Sequence, residues 1–506
     1  MRRIVLVAAF AALAACAQQQ SGTAPSTAST GAERAQAPQT VQRRPASEQK
    51  IGDENHPKIV KKYGGVYENA KLGNYVDGLG RKLAAVSEQP LDKWTFTVLD
   101  SPTVNAFALP GGYVYITRGL AALANSEAEL AGVVGHEIGH VTAGHSALRQ
   151  DRNLIATGAL LGAQILGAIA GVSPDILRAG TQLGSVVAGG VLASYSRSDE
   201  LDADALGIRY IARAGYDPYA QADFLESMTA SATLDARLAG KSYNPNETDF
   251  FASHPATGPR TRQAVDTARA SGQQMPVGAN RNRDRFLDVI EGLTFGESAA
   301  QGFVRGTSFT HPELRFAFST PDGFRIKNAP SAVTGFGPSN SRFIMDGARN
   351  PQGSLTEYIA RNWVPGISKT YPTGRVQNLQ PREINGLQAA SATVPLKING
   401  KSFQALLVAI RMDDKLYRLT GLAPSGTGLL PSMDEAAQTF RKLSAREARS
   451  LRAARVEVVT VGRRDSVASL ARRMNVDRLQ EERFRVLNGL KSGETVRAGQ
   501  RVKIIR

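Results

Sequence analysis

The sequence predicts a multidomain α+β protein. A mostly helical domain with a small edge-strand sheet occupies residues 51–295, an α+β domain 305–445, and a βααβ module 454–506. Three observations carry this. A chain of 506 residues, 42% of them hydrophobic, exceeds what one ordinary core holds. Helical spacing of apolar residues dominates to about residue 290, and strand-like runs between Gly- and Pro-containing turns follow. The final segment then repeats strand, helix, helix and strand signals in that order.

The elements follow in chain order. Arg2 and Arg3 precede an apolar run at 4–12, too short for a stable membrane span, and then Leu13-Ala14-Ala15-Cys16. Residues 1–15 therefore read as a secretory signal. The small residues before Cys16 resemble a bacterial lipobox, which implies cleavage before Cys16 and lipid attachment to its sulfur. Cys16 is the only cysteine, so no intramolecular disulfide forms. Gln18 is not the Asp that such lipoproteins use for inner-membrane retention, so the resemblance implies outer-membrane anchoring facing the periplasm. Residues 16–50, rich in Gln, Ser, Thr, Ala and Pro, read as a disordered tether.

Residues 75–86 have helical apolar spacing, 94–99 read as a strand, and 105–109 and 113–117 as a strand pair around Pro110-Gly111-Gly112. Ser126 with Glu129 three residues later marks a helix start. Residues 154–172 carry no charge, but their Gly and Ala content and their place between two motif helices favour a helical hairpin covering the site or touching lipid. A net charge of +16 favours acidic partners, whether nucleic acid, anionic lipid or an anionic wall polymer.

His136-Glu137-Ile138-Gly139-His140 is the central feature. Residues four apart share a helix face, so both imidazoles can grip one ion. Glu137, beside the first ligand, reaches a water polarised by that ion and can act as its general base. This is a zinc-protease signature, with one Zn2+ per chain. A third ligand is needed. His145 lies five residues after His140, out of register, and on a continuing helix points well away from the metal. Its expected role is a hydrogen bond near the helix C-terminus. Glu200 shares a helix face with Asp204, and can complete two histidines and one carboxylate while Asp204 accepts an N–H from a ligating histidine. A solvated acidic helix start is the competing reading, since Asp199 and Asp202 cluster there.

The order His136 to His140, then Ser196-Arg197 with Glu200 and Asp204, then Ser253-His254-Pro255 with Arg260, resembles the HtpX and CaaX prenyl-protease group, family forty-eight of the metallopeptidases and a gluzincin. Asn105-Ala106-Phe107-Ala108 and the Gly111-Gly112 turn also match. The resemblance spans about 200 residues. It implies Glu200 as third ligand, Asp204 and Arg260 as supporting residues, and His254 over the metal, stabilising an oxyanion or capping the zinc. It further implies that residues 105–115, with Asn105, Ala106, Phe107, Gly111 and Gly112, bind an extended substrate along a strand edge. His56 and His311, each before a proline, read as structural or surface residues, His56 in a loop.

In the 305–445 domain, residues 315–318 and 403–412 read as strands and 355–363 as a helix. The pattern resembles the PsbP/Mog-like fold. Residues 444–455 read as a basic helical connector. Residues 456–506 resemble a LysM domain, which implies binding to N-acetylglucosamine polymers such as peptidoglycan. Arg464-Asp465-Ser466 departs from the usual Gly-Asp-Thr, which puts the glycan affinity in question. From Arg449 to Arg506 there are 15 basic and 6 acidic residues. Nucleic acid is disfavoured by the export signal and by the lack of aromatic stacking platforms. Together these features predict a lipid-anchored periplasmic zinc endopeptidase that degrades misfolded or misassembled envelope proteins. The alternative is a peptidoglycan-tethered chaperone or scaffold with a latent zinc site.

Overall fold

The computed structural model describes residues 44–90, 92–145, 195–238, 240, 242–243, 254, 257–271 and 280–506. The signal, Cys16, nearly all of the tether and the uncharged stretch at 154–172 lie outside the described residues. No helix among the described residues is long and apolar enough to cross a membrane.

The first domain begins with α1 (Ala46–Lys62). Residues 46–50, read from the sequence as the end of the tether, are its first turn, and His56 sits within it rather than in a loop. The reason is tertiary: His56 Nδ1 lies 2.9 Å from the Tyr115 hydroxyl, and the Tyr113 hydroxyl bonds Asp53. Helix α2 (Ala70–Ala84) starts where the Asn69 side chain accepts from Leu72 N at 3.0 Å. Strands β1 (Thr95–Leu99), β2 (Ala106–Leu109) and β3 (Tyr113–Thr117) form a sheet in the order β1-β3-β2. β1 and β3 are parallel, and β2 returns antiparallel through Gly111 and Gly112, both at positive φ. After α3 (Arg118–Leu123), Ser126 caps α4 (Glu127–Thr142), as its spacing to Glu129 predicts. Helices α5 (Arg197–Arg213), α6 (Ala220–Leu238), α7 (Thr257–Ala270) and α8 (Arg283–Ile290) complete this part.

Helix α4 is buried along almost its whole length, so position, more than amphipathicity, is what its surroundings must supply. Glycine makes the close approach to α5. A Cβ on Gly207 would stand 2.8 Å from His136 N, and one on Gly139 would stand 3.1 Å from Ala203 O. The two backbones touch only because neither position carries a side chain.

The next region is all antiparallel sheet with helices against it. Strand β4 (Thr294–Phe295) leads to β5 (Phe303–Arg305), β6 (Ser308–His311) and β7 (Phe316–Ser319). Strands β8 (Arg325–Ala329), β9 (Ala332–Phe336), β10 (Arg342–Arg349), β11 (Gln377–Ile384), β12 (Leu387–Ile398), β13 (Lys401–Met412) and β14 (Lys415–Pro424) make a seven-stranded sheet in the order β11-β12-β13-β14-β10-β9-β8. One face packs on α9 (Leu355–Tyr358), a π-helical turn Ile359–Trp363 and α10 (Val364–Ser368). The other packs on β5 to β7 and α11 (Leu430–Gln438). Arg418 and Asp346, directly opposite on β14 and β10, form a buried two-point ion pair at 2.6 and 2.8 Å.

Beyond β15 (Arg441–Lys442), the expected connector helix is only α12 (Ala445–Ser450). Ala454 already begins β16 (Ala454–Thr460), because Ala454 and Arg455 pair with β4. Helices α13 (Val467–Arg472) and α14 (Gln480–Leu487) and strand β17 (Arg501–Ile505) then give the βααβ order. This module does not stand apart. Val456, Leu470, Phe484, Val502 and Ile504 belong to one apolar core with Leu130, Val134 and Phe286 of the first domain. Lys503 is fully buried, and its Nζ donates to the carbonyls of Ala122, Leu123 and Ala124 at 2.8, 3.1 and 2.7 Å. Burial drives the Lys503 pKa down, whereas the nearby Glu129 carboxylate opposes this. Three acceptors match the three hydrogens of an ammonium.

Candidate metal centre

Helix spacing and the α4–α5 contact place the chemistry. His136 and His140, one turn apart on α4, bring their Nε2 atoms to 3.0 Å from one another. From α5, Glu200 Oε1 stands 3.4 Å from His140 Nε2, and Glu200 Oε2 3.6 Å from His136 Nε2. His254 enters beside them, with Nδ1 2.8 Å from Glu200 Oε1 and Nε2 3.5 Å from Glu137 Oε1. One ligand atom from each of His136, His140, Glu200 and His254 lies within 4.8 Å of all the others, and all four residues are buried.

The outer contacts set the donor chemistry. His136 Nδ1 lies 2.9 Å from Asp204 Oδ1. A carboxylate only accepts, so that nitrogen carries the hydrogen and Nε2 keeps its lone pair. Asp204 also accepts from Arg260 Nε and Nη2, both at 2.8 Å, and from Gln221 Nε2 at 2.7 Å. Arg260 Nη1 reaches Glu200 Oε2 at 2.7 Å, so one guanidinium ties the ligand carboxylate to the carboxylate behind His136.

These contacts govern ionisation. Burial pushes Glu200 up, but His254 and Arg260 outweigh it and hold its carboxyl well below the usual range. Asp204 is likewise held low against burial by Arg260 and His136. Burial raises Glu137, opposed by His254 and His136. Burial, followed by the neighbouring His136, drives His140 well down, which keeps it a neutral ring. His254 is displaced upward, because the Glu200 and Glu137 carboxylates exceed its burial penalty.

Does this suit a divalent cation? Three buried carboxylates, Glu137, Glu200 and Asp204, face one buried guanidinium, Arg260. That excess of carboxylates over guanidinium suits an ion of charge +2. Glu137 Oε2 is buried with no hydrogen-bond partner among the described residues. Beside it lies a cavity of about 30 Å³, bounded by Val133, Phe224, Leu225 and Met228 as well as the polar groups. That space admits about one water. Two imidazoles and a carboxylate are a zinc donor set, so the residues fit the ion.

Other expected site residues fall elsewhere. His145 is outside the convergent group, as its register predicts, but does not point away: its Nδ1 is 3.0 Å from His140 Nδ1. Asn105, Ala106 and Phe107 do lie at the free side of the sheet, since β2 is an edge strand, yet all are buried. Gly111 and Gly112 form the β2–β3 turn, and Arg44, Glu48 and Gln49 pack over it. Ser253 and Pro255 lie outside the described residues. Sequence reasoning missed Gln221, for which a lone helical glutamine offers no signal. It also missed Tyr195, whose ring stacks on His140 with centroids 3.5 Å apart.

Comparison with known proteins agrees with this geometry. The model for peptidase family M48 matches residues 70–268. The chain is 29% identical over 224 residues to the beta-barrel assembly-enhancing protease of Escherichia coli (strain K12), covering 43% of this chain and 42% of that one. It is 28% identical over 221 residues to the mitochondrial metalloendopeptidase OMA1 of Schizosaccharomyces pombe, covering 43% and 59%. It is 31% identical over 179 residues to the metalloprotease YcaL of Escherichia coli (strain K12), covering 35% and 63%. The chain thus spans less than two thirds of each of these relatives. The solution structure of cyanobacterial PsbP from Synechocystis aligns with 28% of this chain and 95% of that one, at 12% identity and a TM-score of 0.23, too slight to assign a fold. With motif, geometry and family match in agreement, residues 70–268 are a domain of peptidase family M48, whose members are zinc metallopeptidases.

Proposed function

We propose that this chain is a zinc-dependent endopeptidase that cleaves misfolded or misassembled envelope proteins. The observation carrying this is the convergence of His136, His140 and Glu200 beside a buried Glu137 oxygen that has no hydrogen-bond partner among the described residues. His136, His140 and Glu200 would hold the zinc. When bound, the ion supplies Lewis acidity to the attacking water and the scissile carbonyl. Glu137 takes the proton of that water and delivers it to the leaving amine, and its burial favours a carboxyl basic enough for the task. Asp204 and Arg260 keep His136 and Glu200 oriented.

The name of the Escherichia coli relative, beta-barrel assembly-enhancing protease, supports an envelope substrate. The lipobox-like Cys16 supports a periplasmic enzyme anchored by lipid, in the outer membrane by the identity of Gln18. The βααβ order supports the LysM reading of residues 454–506, with peptidoglycan as a second partner. An extended substrate would pair with β2, whose residues Asn105, Ala106 and Phe107 must first be uncovered.

The test is Glu137→Gln. Peptide hydrolysis of an unfolded substrate should fall by at least about 100-fold while one zinc per chain is retained, and full activity in the variant would sink the proposal. A second reading, a latent site in a scaffold, is favoured by His254 seated against Glu137 and Glu200. If His254 is a cap, His254→Ala raises hydrolysis. A zinc-loaded His254→Ala protein that never cleaves unfolded chains selects the scaffold.

A further inference from the structure

The two histidines that converge on the metal position are braced from behind in different ways. His136 is held directly by a buried carboxylate, Asp204, at 2.9 Å. His140 is held by another imidazole: its Nδ1 lies 3.0 Å from His145 Nδ1. His145 is itself anchored, with Nε2 3.3 Å from Asp202 Oδ2. His145 reaches this position because the chain leaves α4 after Thr142 and turns back through Gly144, whose φ of 68° lies in the left-handed region. His145 is 6% exposed, whereas the Asp202 side chain is 57% exposed.

The hydrogen-bond inventory gives this chain a direction. A carboxylate only accepts, so the 3.3 Å contact with Asp202 favours the hydrogen on His145 Nε2. In a neutral ring its Nδ1 is then a lone pair. A lone pair at His145 requires the hydrogen at His140 Nδ1. That leaves the His140 Nε2 lone pair facing His136 Nε2 and Glu200 Oε1, at 3.0 and 3.4 Å. Tyr195, stacked on the ring at an interplanar angle of 13°, limits its tilt.

We propose that His145 and Asp202 are positioning residues of the metal centre, acting in series to hold His140 in the tautomer and orientation in which Nε2 is a zinc ligand. This rests on the reading of His136, His140 and Glu200 as ligands. The out-of-register histidine is thus excluded as a ligand by the same geometry that makes it a brace, and α5 contributes Glu200, Asp202 and Asp204 to three successive roles around one ion.

The experiment compares the full chain with His145→Ala, His145→Asn and Asp202→Ala. Metal-free protein is titrated with Zn2+ in competition with a chromophoric chelator, and the melting of the metal-free form is followed in parallel. His145→Ala should weaken zinc binding about 10–100-fold with little change in metal-free melting. His145→Asn places an acceptor oxygen near the lost Nδ1 and should restore most of the affinity. Asp202→Ala should give a smaller loss than His145→Ala. Wild-type affinity in His145→Ala overturns the proposal, as does an Asn variant no better than Ala. Should His145→Ala fail to fold, the half-exposed Asp202 decides: unchanged zinc affinity in Asp202→Ala overturns it. A wild type that binds no zinc instead overturns the underlying metal-centre reading, and the brace with it.

Discussion

The two ends of helix α4 are built on opposite plans. Its C-terminal half carries His136, Glu137 and His140, whose neighbours are ionisable groups with assigned partners: Asp204, Arg260, Glu200 and His145. Its N-terminal end carries the carboxylates Glu127 and Glu129 but no histidine. There, the turn from α3 is held by Lys503, which donates to three successive carbonyls from about 380 residues along the chain, and by Arg283, which donates to Asn125 O at 2.7 Å. Glu129, buried in that first turn, accepts from Asn125 N at 2.9 Å, and burial raises its pKa. One end of the helix carries the convergent ligand atoms, and the other holds the helix in place. The lesson is that a five-residue motif needs an anchor that itself carries no motif.

The largest expected effect is at the anchoring end. Removing residues 449–506 strips Val456, Phe484, Val502 and Ile504 from the common core and leaves β4 unpaired. The first domain should lose its cooperative transition and bind no stoichiometric zinc, while the 305–445 region, whose cores contain no residue beyond 449, keeps its own. A truncated chain that melts as the intact protein does would break the comparison. It follows that loss of peptidoglycan binding in such a truncation would not identify a glycan site.

Lys503→Met should come next, costing about 2–4 kcal/mol, since it withdraws the donor from three buried carbonyls and removes a cation that favours the buried Glu129 carboxylate. Denaturant unfolding measures it. A change under about 0.5 kcal/mol, the level of an ordinary surface substitution, would mean the seam does not hold α4. Gly207→Ala probes the other end and should cost about 1–3 kcal/mol, because its Cβ would stand 2.8 Å from His136 N and force α4 and α5 apart. Zinc binding should weaken along with stability in Gly207→Ala, whereas any zinc loss in Lys503→Met should follow only from unfolding. Equal zinc effects at equal destabilisation would erase the distinction between the ends.

This division also explains what could be read in advance. Metal chemistry restricts residue type and spacing together, so His136, Glu137 and His140 were legible as a unit, whereas Glu200 and Asp204 on their shared helix face competed with a solvated acidic helix start until the family resemblance implied Glu200 as the third ligand. The glycines that let α4 meet α5 were not legible, because a helical glycine ordinarily signals only a weaker helix. Lys503 was hidden for a related reason. It is one of 15 basic residues between Arg449 and Arg506, in a stretch whose charge suggests an exposed surface, whereas the fold buries it. The strand elements of the sheet at β1 to β3 were readable from alternation and the Gly111-Gly112 turn. That β2 is covered was not, since which element lies over an edge is decided by tertiary packing. Register placed His145 outside the ligand set, and it lies outside the convergent group of four. Its brace role needed the left-handed turn at Gly144, which a straight-helix projection cannot show.

The seam between β16, β17 and the first domain also bears on when the metal centre can form. Contacts joining Ala122 to Lys503, 381 residues apart, and β4 to β16, about 160 apart, close long loops, and long-range closure of this kind slows folding. The core around α4 is not complete until residue 505 has been synthesised. A chain synthesised only as far as the motif therefore lacks the finished surroundings of α4, which ties formation of the metal centre to synthesis of residues 454–505 rather than to synthesis of the motif.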